Sequence, residues 1–250
     1  MKKLSASLFA ACCLAALFFY QCTMRDGKVT LDIDAKPFEK LSDYHFFKGK
    51  LADLLPNERV LPYDLITPLF SDYAHKARFV WMPEGTSANY SKDEVLEFPA
   101  GTVLIKNFYY PHDFRDEAKG RRIMETRLLV RRADKWDALT YVWNDEQTDA
   151  TLEIAGETLK AEWTDLNGAH RSIDYGVPNK NQCKNCHNLK DVVEPIGPKV
   201  RYLNCDFPYA DGKKNQLDKW AEVGYLKGYD KNANTSNKIA KWDDPNSGTL

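Results

Sequence analysis

Residues 124–131 read METRLLVR, a run in which polar and apolar side chains alternate for most of its length. In an extended chain, positions 124, 126, 128 and 130 share one face, while positions 125, 127 and 131 mostly share the other. Alternation with a period of two is typical of a half-buried β-strand. We therefore predict a strand here, with its apolar face toward a core.

Similar runs occur on both sides of this strand, at residues 78–82, 102–110, 139–143, 151–155 and 159–163. Polar, turn-forming clusters such as Pro83-Glu84-Gly85 and Asn144-Asp145-Glu146 separate them. Short strands divided by such turns predict a mainly β domain, an antiparallel sandwich or barrel-like fold, which we assign to residues 41–176. Within it, the near-helical spacing of apolar residues from Leu41 to Leu55 predicts one short helix.

The strand pattern stops after Gly176, and prolines interrupt the region that follows. One helix is predicted there, because Asn215 can cap it and Leu217, Trp220 and Tyr225 form an apolar stripe. We assign residues 177–250 to a second, loop-rich, α-containing unit.

The N-terminus has the features of an export signal. Two lysines at positions 2 and 3 precede an apolar run that ends at Tyr20, and Cys22 follows closely. A cysteine at that position suggests a bacterial lipoprotein, so we predict a leader at 1–22, lipidation at Cys22 and a linker at 23–40. The protein is then expected in the periplasm or on the outer face of a bacterial membrane, held by a lipid or signal anchor.

Charge and cysteine content exclude some classes of protein. Thirty-five basic and 36 acidic residues give a net charge of -1, which does not favour nucleic acid as a partner. Outside the leader only Cys183, Cys186 and Cys205 remain. An odd number argues against a framework of disulfides.

Residues 183–187 read CKNCH, the pattern of covalent haem attachment. Two thiols add to the porphyrin vinyl groups, and the histidine reaches the iron from the same turn. We therefore predict one haem c, bound through Cys183 and Cys186, with His187 as an axial ligand. A single-electron carrier is the first expectation for its function, rather than an enzyme.

The ligand on the other side of the iron stays open, because no histidine or methionine follows His187 in the sequence. The upstream candidates are His170, His112, His75 and Met124, and also His45 and Met82. An open sixth position would instead favour a peroxidase-like, haem-dependent enzyme. A third interpretation is a non-redox binding module with a structural zinc ion, which would be held by Cys183, Cys186, Cys205 and His187.

The chain also resembles a family of exported bacterial dihaem c-type cytochromes. The matching stretches are 41–44 (LSDY), 68–74 (PLFSDYA), 98–106 (FPAGTVLIK), 125–130 (ETRLLV), 141–150 (YVWNDEQTDA), 178–187 (PNKNQCKNCH) and 194–198 (EPIGP). The resemblance implies that Cys183, Cys186 and His187 carry the first haem of the family. Members continue past a segment like Trp242-Asp243-Asp244-Pro245 into a second haem domain, whereas this chain stops at Leu250. We therefore expect a truncated chain whose partner is a redox protein or that second domain.

Overall fold

The computed structural model describes residues 27–182, 187–189, 192–232, 239–241, 244 and 246–247. Sixteen strands are described: β1 Phe47–Lys48, β2 Leu55–Pro56, β3 Leu61–Tyr63, β4 His75–Trp81, β5 Ala88–Asn89, β6 Val103–Pro111, β7 Arg121–Arg131, β8 Trp136–Trp143, β9 Ala150–Glu153, β10 Glu157–Thr164, β11 His170–Val177, β12 Asn188–Leu189, β13 Val192–Val193, β14 Asp206–Tyr209, β15 Gly212–Asn215 and β16 Leu226–Lys227. The α-helices are α1 Val200–Leu203 and α2 Gln216–Glu222, and short 3-10 helices lie at Leu41–Tyr44, Leu51–Asp53 and Glu117–Lys119.

A six-stranded sheet in the order β3-β4-β6-β7-β8-β9 forms the centre of the fold. Every pairing in it is antiparallel. The six predicted strands correspond to β4, β6, β7, β8, β9 and β10. The prediction of a mainly β fold with antiparallel sheets is therefore confirmed.

One face of the sheet, which we call the apolar face, carries Phe79, Ile105 and Leu128. Segment 41–60 covers it and adds buried aromatic side chains, so that the two layers form one hydrophobic cluster. The hydroxyls of Tyr44 and Tyr141 lie 2.9 Å apart inside this cluster, which satisfies both of these buried polar groups.

The predicted helix over Leu41–Leu55 is wrong. The segment forms two 3-10 turns with β1 and β2 between and after them. His45 and Leu54 end the two turns in the left-handed region, with φ of 57° and 53°. A regular helix could present its apolar residues on one stripe only, whereas these turns bring Leu41, Phe47 and Leu54 all against the sheet.

The opposite face, which we call the cavity face, is covered at its two ends by residues that the structure describes. At one end Leu217 and Trp220 of α2 pack with Val80 and Leu104. At the other end the β10–β11 hairpin packs Trp163 and other aromatic and apolar side chains onto Phe108 and Tyr110. Between the two covers the middle of the sheet is left open to a cavity.

Helix α2 confirms the helix predicted after Asn215. The Asn215 side chain accepts a hydrogen bond from the backbone N–H of Leu217 at 3.0 Å, as an N-cap should. Leu217 and Trp220 are fully buried, and Tyr225 is buried just beyond the helix end. Residues after the predicted domain boundary thus pack on the same sheet, and β16 also pairs with β5. The division into two domains stays a prediction.

Met124 does not lie on the face that the alternation predicts. Leu128 and Val130 belong to the apolar face, but Met124 packs with Phe108 and Tyr175 under the hairpin. The cause is an irregularity in the β6–β7 register between Phe108 and Tyr109, which inserts an extra residue into β7. Such a bulge shifts the alternation by one position on one side of it.

Candidate functional site

The centre of the cavity face is a row of paired residues that crosses the sheet. Tyr63 pairs with Arg78, Arg78 with Lys106, Lys106 with Arg127, and Arg127 with Thr140. Residues opposite one another on neighbouring strands project to the same face. Three basic side chains therefore stand side by side, and we call Arg78, Lys106 and Arg127 the cationic row.

Two members of the cationic row have carboxylate partners. The Arg78 guanidinium pairs with Asp64. The Arg127 Nε donates to Glu125 at 2.9 Å, and the Tyr175 hydroxyl donates to the same carboxylate at 2.5 Å. The Glu125 side chain is wholly buried, so its two partners are what make a charge tolerable there.

Lys106 is different, because it makes no hydrogen bond or ion pair with the residues that the structure describes. Its ammonium lies 4.7 Å from the centre of the Phe108 ring. Burial, with the charges of Arg78 and Arg127 next in importance, lowers the pKa of Lys106 to about 7. A cation in this position gains from any anion that enters the cavity.

The cavity above the cationic row has a volume of about 890 Å³. Leu104 and Leu129 on the sheet contribute apolar floor on either side of the charges, and Leu65 and Ile196 contribute apolar wall. Sites that hold cofactors and similar ligands usually measure about 300–1,000 Å³. The cavity is therefore large enough for a cofactor with an apolar body and acidic groups.

His187 lines this cavity. The β12–β13 hairpin turns the chain back so that Glu194 meets it, and the Glu194 N–H donates to the His187 carbonyl at 2.9 Å. The Nδ1 of His187 lies 2.9 Å from the Glu194 carbonyl oxygen. A carbonyl can only accept, so Nδ1 carries the proton and Nε2 keeps its lone pair.

The protonation state of His187 suits a metal ligand. Burial is the main cause that lowers its pKa, and the charges of Lys106 and Arg127 lower it further, while the bond to Glu194 acts in the opposite direction. The imidazole is therefore neutral near pH 7. A neutral ring oriented through Nδ1 by a carbonyl is the usual arrangement around a metal-binding histidine.

The other predicted site residues that the structure describes do not line this cavity. Cys22, Cys183 and Cys186 are outside the described residues. His75 stacks on Phe114 and lies 3.5 Å from Glu117. His45, His112 and His170 are exposed, and Met82 and Met124 are buried in hydrophobic clusters.

None of the predicted sixth ligands contributes to the lining of the cavity. Among the described residues that line it, His187 is the only imidazole and there is no thioether. In the described part of the chain, no three His, Cys, Asp or Glu side chains come together in a way that could hold a metal ion. Two of the four proposed zinc ligands, Cys183 and Cys186, lie outside that part.

The cationic row was not predicted from the sequence. A basic residue that alternates with apolar ones is typical of the polar face of a half-buried strand, and the alternation in residues 124–131 places Arg127 on that face. The available signal was that Arg78, Lys106 and Arg127 each lie between apolar or small residues on three different predicted strands. Only the pairing of those strands brings the three side chains together.

Comparison of the chain with protein-family models, with curated proteins and with solved structures found no match. Of the helices that the structure describes, none combines the length and the apolar character needed to cross a bilayer.

Proposed function

We propose that this protein is a c-type cytochrome that carries one haem outside the cytoplasmic membrane and transfers single electrons. Cys183 and Cys186 would form the thioether links, and His187 would be an axial ligand. The observation that carries the proposal is His187 itself. It follows the second cysteine directly, its Nδ1 is held by the Glu194 carbonyl at 2.9 Å, and it lines a cavity of about 890 Å³.

The residues present fit a haem in three respects. A neutral imidazole is available through Nε2. Leucine and isoleucine side chains surround the cavity, as the apolar macrocycle requires, and the cationic row can face its acidic groups. The bound haem iron supplies the one-electron chemistry. The chain would contribute the Nε2 nitrogen of His187, apolar wall residues such as Leu65 and Ile196, and positive charge near the cofactor.

The first experiment is production of the full chain with a c-type maturation system, followed by a pyridine haemochrome spectrum and an intact mass. We expect a c-type absorption band and one added haem, and we expect both to be absent from a Cys183→Ala/Cys186→Ala variant. A Cys205→Ala variant is the matched control and should retain the haem. Stoichiometric zinc without haem would overturn the proposal in favour of the binding module.

A second candidate function is a peroxidase-like enzyme. It is favoured by one observation: the described lining of the cavity includes no thioether and no imidazole besides His187. A spectrum of the ferric protein separates the two functions, because a six-coordinate, low-spin iron supports the carrier and a five-coordinate, high-spin iron supports catalysis. In either case His187→Gly should lose the native spectrum, and added imidazole should restore it.

The location of the protein is a separate proposal. The basic, apolar leader followed by Cys22 supports export and lipidation. Growth of a producing strain with labelled palmitate should yield labelled protein, and Cys22→Ser should abolish the label. Cys12→Ser is the control, since Cys12 lies inside the apolar run. Label that persists in Cys22→Ser would contradict the assignment.

A further inference from the structure

The cationic row has an arrangement that folding alone does not favour. Its three basic residues are direct cross-strand neighbours in register, and like charges placed opposite one another destabilise a sheet. Carboxylates compensate the two outer members, Arg78 and Arg127. The central member, Lys106, has no such partner among the described residues. Its place in the middle of the cavity floor is therefore unexplained by the fold.

The cationic row shares its cavity with His187. Arg78, Lys106, Arg127 and His187 all line that cavity. A ligand bound beside the imidazole would thus meet the cationic row without leaving the cavity.

The surroundings of the charges narrow the chemical class of the ligand. A small inorganic anion would satisfy Lys106 but would leave Leu65, Leu104, Leu129 and Ile196 facing an unfilled space. A ligand with a wide apolar body and carboxylates at one edge would fill both parts of the cavity. Charge-assisted hydrogen bonds from Arg and Lys to carboxylates are the strong ones.

We infer that Lys106, flanked by Arg78 and Arg127, binds the propionate carboxylates of the haem. The inference rests on the proposed function, because it takes the haem as the ligand. It deepens that function by assigning the side chains that orient the macrocycle. Arg78 and Arg127 are positioned by Asp64 and Glu125, while Lys106 supplies the cation that is free to pair with the ligand.

The test uses the full chain produced without haem and two fluorescent probes, metal-free protoporphyrin IX and its dimethyl ester. Neither probe needs iron, so neither requires His187 or the thiols for binding. We expect the diacid to bind at least about tenfold more tightly than the ester, since one lost charge pair of this kind corresponds to about 1.4 kcal/mol or more. In Lys106→Gln the diacid should lose that advantage, while binding of the ester stays unchanged.

Lys160→Gln is the matched control. Lys160 lies on the β10–β11 hairpin with its side chain 63% exposed, so the same loss of charge there should leave both affinities unchanged. Equal binding of diacid and ester by the wild type would overturn the inference, and so would an unchanged diacid affinity in Lys106→Gln. Inorganic phosphate that binds as tightly as the diacid and depends on Lys106 would also overturn it, in favour of a site for small anions.

The outcome separates this inference from the proposed function. If the matured chain gains covalent haem but Lys106→Gln leaves porphyrin binding unchanged, the cytochrome stands and the assignment of Lys106 fails. If no haem is attached yet porphyrin binding depends on Lys106, the carboxylate site stands and covalent attachment fails. A nitrogen ligand on the ferric iron that disappears in Lys106→Gln would show that Lys106 binds iron instead, which overturns the inference.

Discussion

The two faces of the six-stranded sheet are built from the same strands but have opposite properties. On the apolar face Ile105 is fully buried in a hydrophobic cluster. On the cavity face its neighbour Lys106 points at a cavity of about 890 Å³ beside Arg78 and Arg127. Full burial of an aliphatic side chain contributes about 1.5–3 kcal/mol, whereas adjacent like charges cost stability. The apolar face and the two covered ends of the cavity face thus stabilise the fold, and the middle of the cavity face is left available for chemistry.

The largest loss of stability is expected from replacement of Glu125, although this residue does not belong to the apolar face. It lies on the cavity side, yet its buried carboxylate holds both Arg127 and Tyr175. We expect Glu125→Ala to lower the free energy of unfolding by about 3–5 kcal/mol, because it removes the buried carboxylate to which both the Arg127 guanidinium and the Tyr175 hydroxyl donate. Urea unfolding measures the loss. Glu162→Ala, at an exposed position of β10, should change it by less than about 0.5 kcal/mol, and a similarly small loss for Glu125→Ala would contradict the prediction.

Ile105 and Lys106 compare the faces at neighbouring positions of β6. Ile105→Ala should cost about 2–5 kcal/mol, because it removes buried methyl groups and leaves a cavity in the cluster. Lys106→Gln should cause no loss and should instead raise the free energy of unfolding near pH 7, because it removes a buried cation that lies beside Arg78 and Arg127 and forms no ion pair with the described residues. Urea unfolding of both variants under one condition is the measurement. Equal losses would show that the faces do not differ in their contribution to stability.

The charge of Lys106 should make the free energy of unfolding depend on pH. Its pKa is lowered from 10.5 in the unfolded chain to about 7 in the fold, chiefly by burial. Between these values the unfolded chain binds more protons, so stability rises with pH, and the cost of the charged form is fully present only below about 7. The stability of the haem-free wild type relative to Lys106→Gln should therefore increase across this window, by up to about 1.4 kcal/mol per pH unit. A difference that falls with pH or stays flat would contradict this sign.

The smallest effect on the free energy of unfolding is expected at α2, the helix that covers one end of the cavity face. Asn215→Ala removes the N-cap of α2 and should cost about 1 kcal/mol in urea unfolding. Asn215→Asp retains an acceptor for the Leu217 N–H and should recover most of that loss. No loss in the alanine variant would mean that packing of Leu217 and Trp220 alone determines where α2 begins.

The predictions from sequence were correct where interactions within a few residues determine the structure, and wrong where contacts between distant segments determine it. The strand containing METRLLVR and the helix after Asn215 were predicted correctly, because alternation and capping act within a few residues. The helix over 41–55 was wrong, because contacts with the sheet override a local pattern of spacing. Met124 was assigned to the wrong face, because a bulge depends on how β6 and β7 pair.

Patterns within single segments were enough to predict the antiparallel β class and to single out the CKNCH segment with His187. That Arg78, Lys106 and Arg127 form one row, and that His187 lines the cavity above it, follows only from the folded chain. The physical reason is that alternation is a property of one strand, whereas register arises from hydrogen bonds between strands far apart in the chain. The cross-strand neighbours of a basic residue are therefore fixed only when the sheet has formed.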